Sequence, residues 1–295
     1  MIEPLSDQER TQWIALALVP RLGRRTLERL RAHFGSLDDA LQADKAALTA
    51  VPRVGGKTAA AIRAADPGAI AASLDAWREM GITPLLPQDD AFPARLRALE
   101  DGPAVLFQRG NTLPGDDTPA AAIVGTRRPT RAAREMALSL AETLASEGWG
   151  VVSGLALGID TAAHSGALSG GGVTVAVLGS GLSAIYPPSN AALAERITAS
   201  GALLSEVHPA ATPNGPTLVA RNRLISGLSD VVIVVEAGLD SGSLHAARFA
   251  QVYGRALFAG ESPADGNRRL LAEGASLLPA DSTRWLEILR AAISN

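Results

Sequence analysis

The sequence predicts an α/β protein: a Rossmann-like domain on a parallel sheet, preceded by a small all-helical domain. Three observations carry this. From residue 120 onward, short apolar runs recur, AAAIV, GVVS, VTVAVL, GALLS, VVIVV and ALFA, rich in β-branched residues. Segments of helical character near 130–147, 159–169, 189–199, 217–228 and 242–253 separate them. Strands alternating with helices imply right-handed crossovers and a sheet covered on both faces. Residues 1–80, by contrast, show no strand pattern, and apolar positions recur at helical spacing in DQERTQWIALALV and RRTLERLRAHF.

Within the helical part, two stretches are alike. LVPRLGRRTLERL (18–30) and AVPRVGGKTAAAI (50–62) share V-P-R, an aliphatic residue, glycine, a cation before threonine, and a following helix. This resembles the hairpin of a SAM-like helix-hairpin-helix module, in which glycine amides at a helix start meet a DNA phosphate. A tight turn accounts for the same glycines, so a second DNA contact at Arg25, Gly55, Gly56 and Lys57 stands beside a purely structural reading. Residues 81–119 connect the two parts through a short strand, AVLF (104–107), and a boundary loop, GNTLPGDDTP. The expected division is a helical domain at 1–80, a Rossmann-like domain with its N-terminal extension at 81–280, and a C-terminal helix at 281–295.

Composition narrows the chemistry. With 47% hydrophobic and 19% charged residues, the 295-residue chain can bury a full core. It has no cysteine, which excludes disulfides, thiolate metal sites and a cysteine nucleophile. The four histidines, His33, His164, His208 and His245, lack metal-ligand spacing. The polar, acidic start MIEPLSDQER does not read as a signal peptide, and no apolar run nears the ~18 residues of a membrane span. A cytoplasmic protein without membrane association is the expectation. Net charge is −3, yet residues 10–63 hold ten Lys/Arg against four Asp/Glu. Arginine supplies every cation except Lys45 and Lys57. Coding bias explains much of that, but each cation is still a planar fork suited to phosphate.

The candidate site lies in the loops that follow the strands, where ligands of such sheets bind. These loops are GTRRPT (125–130), SGLALGID (153–160), GSGLSAIYPPSN (179–190), RNR (221–223) and EAGLDSGS (236–243). Their candidate DNA-binding residues are Gly125, Thr126, Arg127, Arg128, Ser153, Gly154, Gly179, Ser180, Gly181, Arg221, Asn222, Arg223, Ser241, Gly242 and Ser243. Small residues allow close backbone approach and offer amide donors to an anion. The chain lacks the G-x-G-x-x-G fingerprint, the acidic residue that would hold a ribose hydroxyl, and the lysine of a P-loop. Such a rim suits a chain of phosphates better than a cofactor. Competing readings are ordinary turn glycines, a helix-stabilising contact between Asp160 and His164, and arginines paired with Glu236.

VGTRRPT, SGLALGIDTAAH, VAVLGSGLSAIYPPSN, LLSEVHP, RNRLISGLS and VVEAGLDSGSL occur in the order seen in the DNA-processing protein A (DprA/Smf) family, which the chain resembles over roughly residues 80–275. The resemblance implies a homodimeric protein that binds and protects single-stranded DNA. It further implies loading of the RecA recombinase in natural transformation and recombination, also on strands coated by single-strand-binding protein. No catalytic residue, cofactor or metal is implied. Arg127 matches an arginine of the family's DNA pocket, with Ser153, Gly154, the 179–181 turn, Arg221 and Arg223 around it. Four departures stand out: Leu157 where many members carry a basic residue, Leu218 where many carry an aromatic, His245 and Ala246 where isoleucine and threonine are usual, and one helix, TRWLEILRAAI, where some members carry a winged-helix domain. The rival readings are a nucleotide phosphoribohydrolase using Glu236, Asp160 and His164, whose P-G-G-x-G-T-x-x-E stretch is absent here, and a mononucleotide sensor at the GSG turn.

Overall fold

The structure, a computed structural model, describes residues 5–110 and 112–294. The chain forms two compact units, Met1–Phe107 with Glu206–His208, and Gln108–Ser205 with Pro209–Asn295. The stretch 81–107, read above as an extension of the sheet domain, falls within the first unit.

The first unit opens with six helices, α1 (Asp7–Ala17), α2 (Arg24–Phe34), α3 (Leu37–Gln42), α4 (Lys45–Ala50), α5 (Gly56–Arg63) and α6 (Pro67–Glu79). Helix starts follow from local chemistry. Ser6 and Glu9 close a capping box on α1, and Asp44 and Asp66 cap α4 and α6. The two similar stretches fold alike. Val19–Gly23 and Val51–Gly55 each turn through an arginine of positive φ, Arg21 at 68° and Arg53 at 72°, and each ends in a glycine N-cap. In both, the residue before the glycine donates to the valine carbonyl at 3.1 Å. The unit continues through β1 (Ile82–Leu85) and α7 (Ala94–Arg97) to the first two residues of β2 (Leu106–Arg109). Its core gathers Trp13, Ile14, Leu27, Leu30, Leu48, Ile62 and Phe92, and the Trp13 indole donates to Ala104 O at 2.7 Å.

The second unit alternates strand and helix: β3 (Ala120–Val124), α8 (Arg131–Ser146), β4 (Gly150–Ser153), α9 (Ile159–Ser169), β5 (Thr174–Val177), α10 (Ala191–Ser200) and β6 (Ala202–Ser205). It resumes with α11 (Gly215–Ala220), α12 (Asn222–Gly227), β7 (Val231–Val234), α13 (Ser243–Val252), β8 (Ala256–Gly260), α14 (Asp265–Ala272), β9 (Ser276–Leu278) and α15 (Trp285–Ile293). Strands β3 to β8 are the six apolar runs of the sequence. They are nearly all buried, as continuous apolar runs in a covered parallel sheet should be. Every pairing is parallel, in the order β6-β5-β4-β3-β7-β8-β9. The Rossmann-like expectation is met. One face is covered by α8, α9 and α15, with Leu140, Leu144, Ile159, Trp285 and Leu289 in one buried cluster.

The chain leaves β3 toward β4, β5 and β6, then returns to place β7 on the other side of β3. That reversal makes the β3/β7 boundary the topological switch point, where two connections diverge and leave a crevice at the strands' carboxyl ends. The sequence pattern suggested one helix at 217–228. Two short ones, α11 and α12, replace it, and the break falls at Arg221, whose side chain turns inward.

Candidate nucleic-acid interface

A cavity of about 690 Å³ occupies that crevice. Its walls are Gly125–Arg128 after β3, Ala156 and Asp160 after β4, Leu218, Val219, Arg221 and Asn222 around α11 and α12, and Gly238–Ser243 after β7. Four of the five loops named from the sequence therefore converge, although they lie far apart in the chain.

The loop after β3 is held rigidly. Thr126 N donates to Glu236 O at 2.7 Å, and Ile159 N donates to Thr126 O at 3.2 Å. Gly158, at φ +84°, brings α9 against this loop; a Cβ there would lie 2.4 Å from Thr126 O. Thr130 caps α8 through Ala133 N, and both its own N–H and hydroxyl donate to the Glu236 carboxylate, at 2.9 and 2.6 Å. With its ends fixed, the loop presents Arg127 and Arg128 to solvent. Among the described residues neither guanidinium has a hydrogen-bond or ion-pair partner, and Arg127 lies close enough to lower the pKa of Arg221. Two unneutralised guanidiniums at a cavity mouth are chemically suited to bidentate contact with a phosphate.

Arg221 is different. It is 7% exposed, and its Nη1 donates to Gly154 O at 2.5 Å and to Val177 O. Its Nη2 lies 3.9 Å from Asp160 Oδ2, and Asp160 also accepts from Gly154 N and Ala156 N at 3.2 Å. Burial pushes the Asp160 carboxyl up and the Arg221 guanidinium down, and each charge offsets the other's displacement. Gly154 permits this arrangement, because a Cβ there would fall 2.1 Å from the guanidinium. Arg221, named above among the strand-end loop residues, is thus part of the core. Its hydrogen bonds tie α11 to the ends of β4 and β5.

The remaining sequence-chosen residues divide in the same way. Asn222, Ser241, Gly242 and Ser243 line the cavity; the two serine hydroxyls are 2.7 Å apart, and Asn222 Nδ2 donates to Gly242 O at 3.2 Å. Ser153 is buried and donates to Ile123 O at 2.6 Å. Arg223 is half-buried and outside the cavity lining. The turn Gly179–Gly181 is also outside it: Gly179 packs under Leu218, Ser180 is buried, and Gly181 N donates to Ala211 O at 2.8 Å. The Gly181 amide is thus committed to the fold. His164 turns its Nδ1 to Thr174 Oγ1 at 2.8 Å rather than to Asp160, and burial with the nearby Arg221 charge lowers its pKa to about 3. Among the described residues no three His, Asp or Glu side chains are grouped to hold a metal ion. No helix there is long and apolar enough to cross a membrane.

In the first unit, Gly55 is the open N-cap of α5, a Cβ on Gly56 would lie 3.3 Å from the Lys45 side chain, and Lys57 is exposed. Arg25 is paired with Glu100, and Arg24 donates to the carbonyls of Arg97 and Leu99 at 2.9 and 2.7 Å. Val219, Leu239 and Asp240 line the cavity beside Leu218 but were not singled out from the sequence. Their signal was present in EAGLDSGS, where Leu239 and Asp240 interrupt small residues at a strand end.

Residues 83–289 match the family model described as DNA recombination-mediator protein A, and residues 14–65 match a SAM-like helix-hairpin-helix tandem. The chain is 40% identical over 195 residues to DNA processing protein DprA of Streptococcus pneumoniae, covering 64% of this chain and 68% of that protein. It is 34% identical over 261 residues to Protein Smf of Synechocystis, covering 86% of this chain and 65% of that one. It is also 39% identical over 186 residues to Bacillus subtilis DprA, covering 63% of each. The chain thus spans just under two thirds of the length of the last two. The X-ray structure of S. pneumoniae DprA superposes with a TM-score of 0.75 at 28% identity, over 94% of this chain and 95% of that one. A Helicobacter pylori DNA processing protein A structure, reported for its single-stranded DNA binding mode, superposes with a TM-score of 0.64 at 33% identity, over 72% and 96%. Matched by its family model over most of its length, this chain belongs to the DNA recombination-mediator protein A family.

Proposed function

We propose that this chain binds single-stranded DNA at the switch-point cavity and acts without catalysis as a recombination mediator. The observation that carries this is the pair Arg127 and Arg128, exposed and unneutralised at the mouth of a cavity whose floor is made of structural hydrogen bonds. Phosphates meet the two guanidiniums, while Leu218, Val219 and the 54%-exposed Leu239 offer apolar surface to sugars and bases. Duplex DNA keeps its bases stacked and paired, so a recessed cavity of this size favours a single strand. The single-strand binding mode reported for the H. pylori relative supports the reading.

In this function the protein covers incoming single strands in the cytoplasm and transfers them to RecA. It acts as a homodimer, because two small sites held together raise apparent affinity through effective concentration without new contacts. The decisive experiment measures RecA assembly on strands coated by single-strand-binding protein. Wild type should accelerate assembly and Arg127→Ala should not. The same preparations, given nucleotides, single strands and duplexes with and without divalent metal, should show no turnover. Turnover abolished by Glu236→Gln or Asp160→Asn would defeat the binding reading in favour of a phosphoribohydrolase. Glu236 spends both oxygens on Thr130, which argues against that outcome.

A further inference from the structure

A second cavity, of about 460 Å³, adjoins the first across one ridge. Leu239, Asp240 and Ser241 line both. Beyond the ridge the walls are Leu244, His245, Arg248 and Gln251 of α13, Arg269 and Leu270 of α14, and Glu273 at that helix's C-cap. Arg269 and Glu273 neutralise each other at 2.7 Å. His245 and Arg248 are exposed, and among the described residues their side chains have no hydrogen-bond or ion-pair partner. Three positions apart, they share one face of α13.

We propose that this groove is a second subsite for the same single strand, in which Arg248 and His245 take a phosphate beyond those held by Arg127 and Arg128. This rests on the binding function proposed above and extends it to the strand's path. Asp240 defines the step between the subsites. An exposed carboxylate on the ridge repels a phosphate placed there, so phosphates settle on either side, with sugar and base crossing the exposed Leu239. Asp240 thus sets the spacing of contacts at some cost in affinity.

The test uses the full chain and fluorescent oligo-dT from about two to about eight nucleotides, the range over which strand-binding grooves fill. Wild type should gain affinity with length beyond the shortest strands. The His245→Ala/Arg248→Ala double variant should bind the shortest strands like wild type but lose about fivefold on longer ones, the scale of one solvent-screened ion pair. Its salt slope on longer strands should shrink by about 0.7, the share of one single-strand phosphate. Asp240→Asn should tighten binding at every length that crosses the ridge. All three side chains are exposed, so unchanged melting temperatures are expected. An unaltered length dependence and salt slope in the double variant, with wild type still dependent on Arg127, would overturn the subsite alone. Wild-type binding indifferent to Arg127 would overturn the proposed function and this subsite with it.

Discussion

The Arg221 guanidinium lies directly over Gly154, donating to its carbonyl at 2.5 Å in the space where any other residue would carry a Cβ. A glycine from the loop after β4 and an arginine 67 positions later thus form one structural element. It holds the cavity floor while Arg127 and Arg128 stand free at the mouth.

The two arginines should therefore separate in mutagenesis. Arg127→Ala should weaken binding of oligo-dT by about 1–3 kcal/mol, the range for charge-assisted contacts, with no change in melting temperature. Arg221→Ala should lower stability by about 3–5 kcal/mol, because it leaves Asp160 buried beside an empty cavity. Anisotropy titrations and thermal melts on both variants check this; equal melting temperatures would contradict the structural role of Arg221.

Gly154→Ala tests the same element from the other side. Its Cβ would sit 2.1 Å from Nη1, so the guanidinium must move and its bonds to Gly154 O and Val177 O must loosen. Overpacking of this kind costs about 1–3 kcal/mol. Chemical denaturation should show the loss, and strand affinity should fall with it.

Binding should depend steeply on salt. If about three to five phosphates are neutralised per protomer, log K falls against log salt with a slope of roughly −2 to −3.5. Titrations across a range of ionic strength give the slope directly, and a flat response would contradict phosphate recognition.

His164 gives an acid signature. Its pKa is about 3 in the fold against 6.5 for the free side chain, so below about pH 6.5 the unfolded chain binds a proton that the native state refuses. Stability from this group is complete above that pH and is lost as pH falls toward 3, at up to about 1.4 kcal/mol per pH unit. Denaturant melts across this window should show the slope, and His164→Gln should flatten it.

Much of this was legible in the sequence. Strands β3 to β8 of the second unit, their intervening helices and the doubled hairpin of the first follow from local signals: apolar periodicity, caps and turn residues within a few positions of one another. The cationic loop after β3 was legible for the same reason, since a strand ending in Gly-Thr-Arg-Arg places its arginines at the sheet rim wherever the rest of the chain goes. Tertiary structure decided which other rim residues remain available to a ligand. The Gly179–Gly181 turn reads like a phosphate cradle, but the segment carrying Ala211 and Leu218 folds over it and takes up the Gly181 amide. Glu236 reads as a base or an ion-pair partner, yet both its oxygens are engaged by Thr130, 106 residues earlier. Arg221 and Arg127 read alike in sequence and differ in fate, because α11 carries one into the strand ends while a capped turn holds the other in solvent. A side chain's chemistry is local, but its partners are set by contacts between distant segments, and those form only when the sheet has closed.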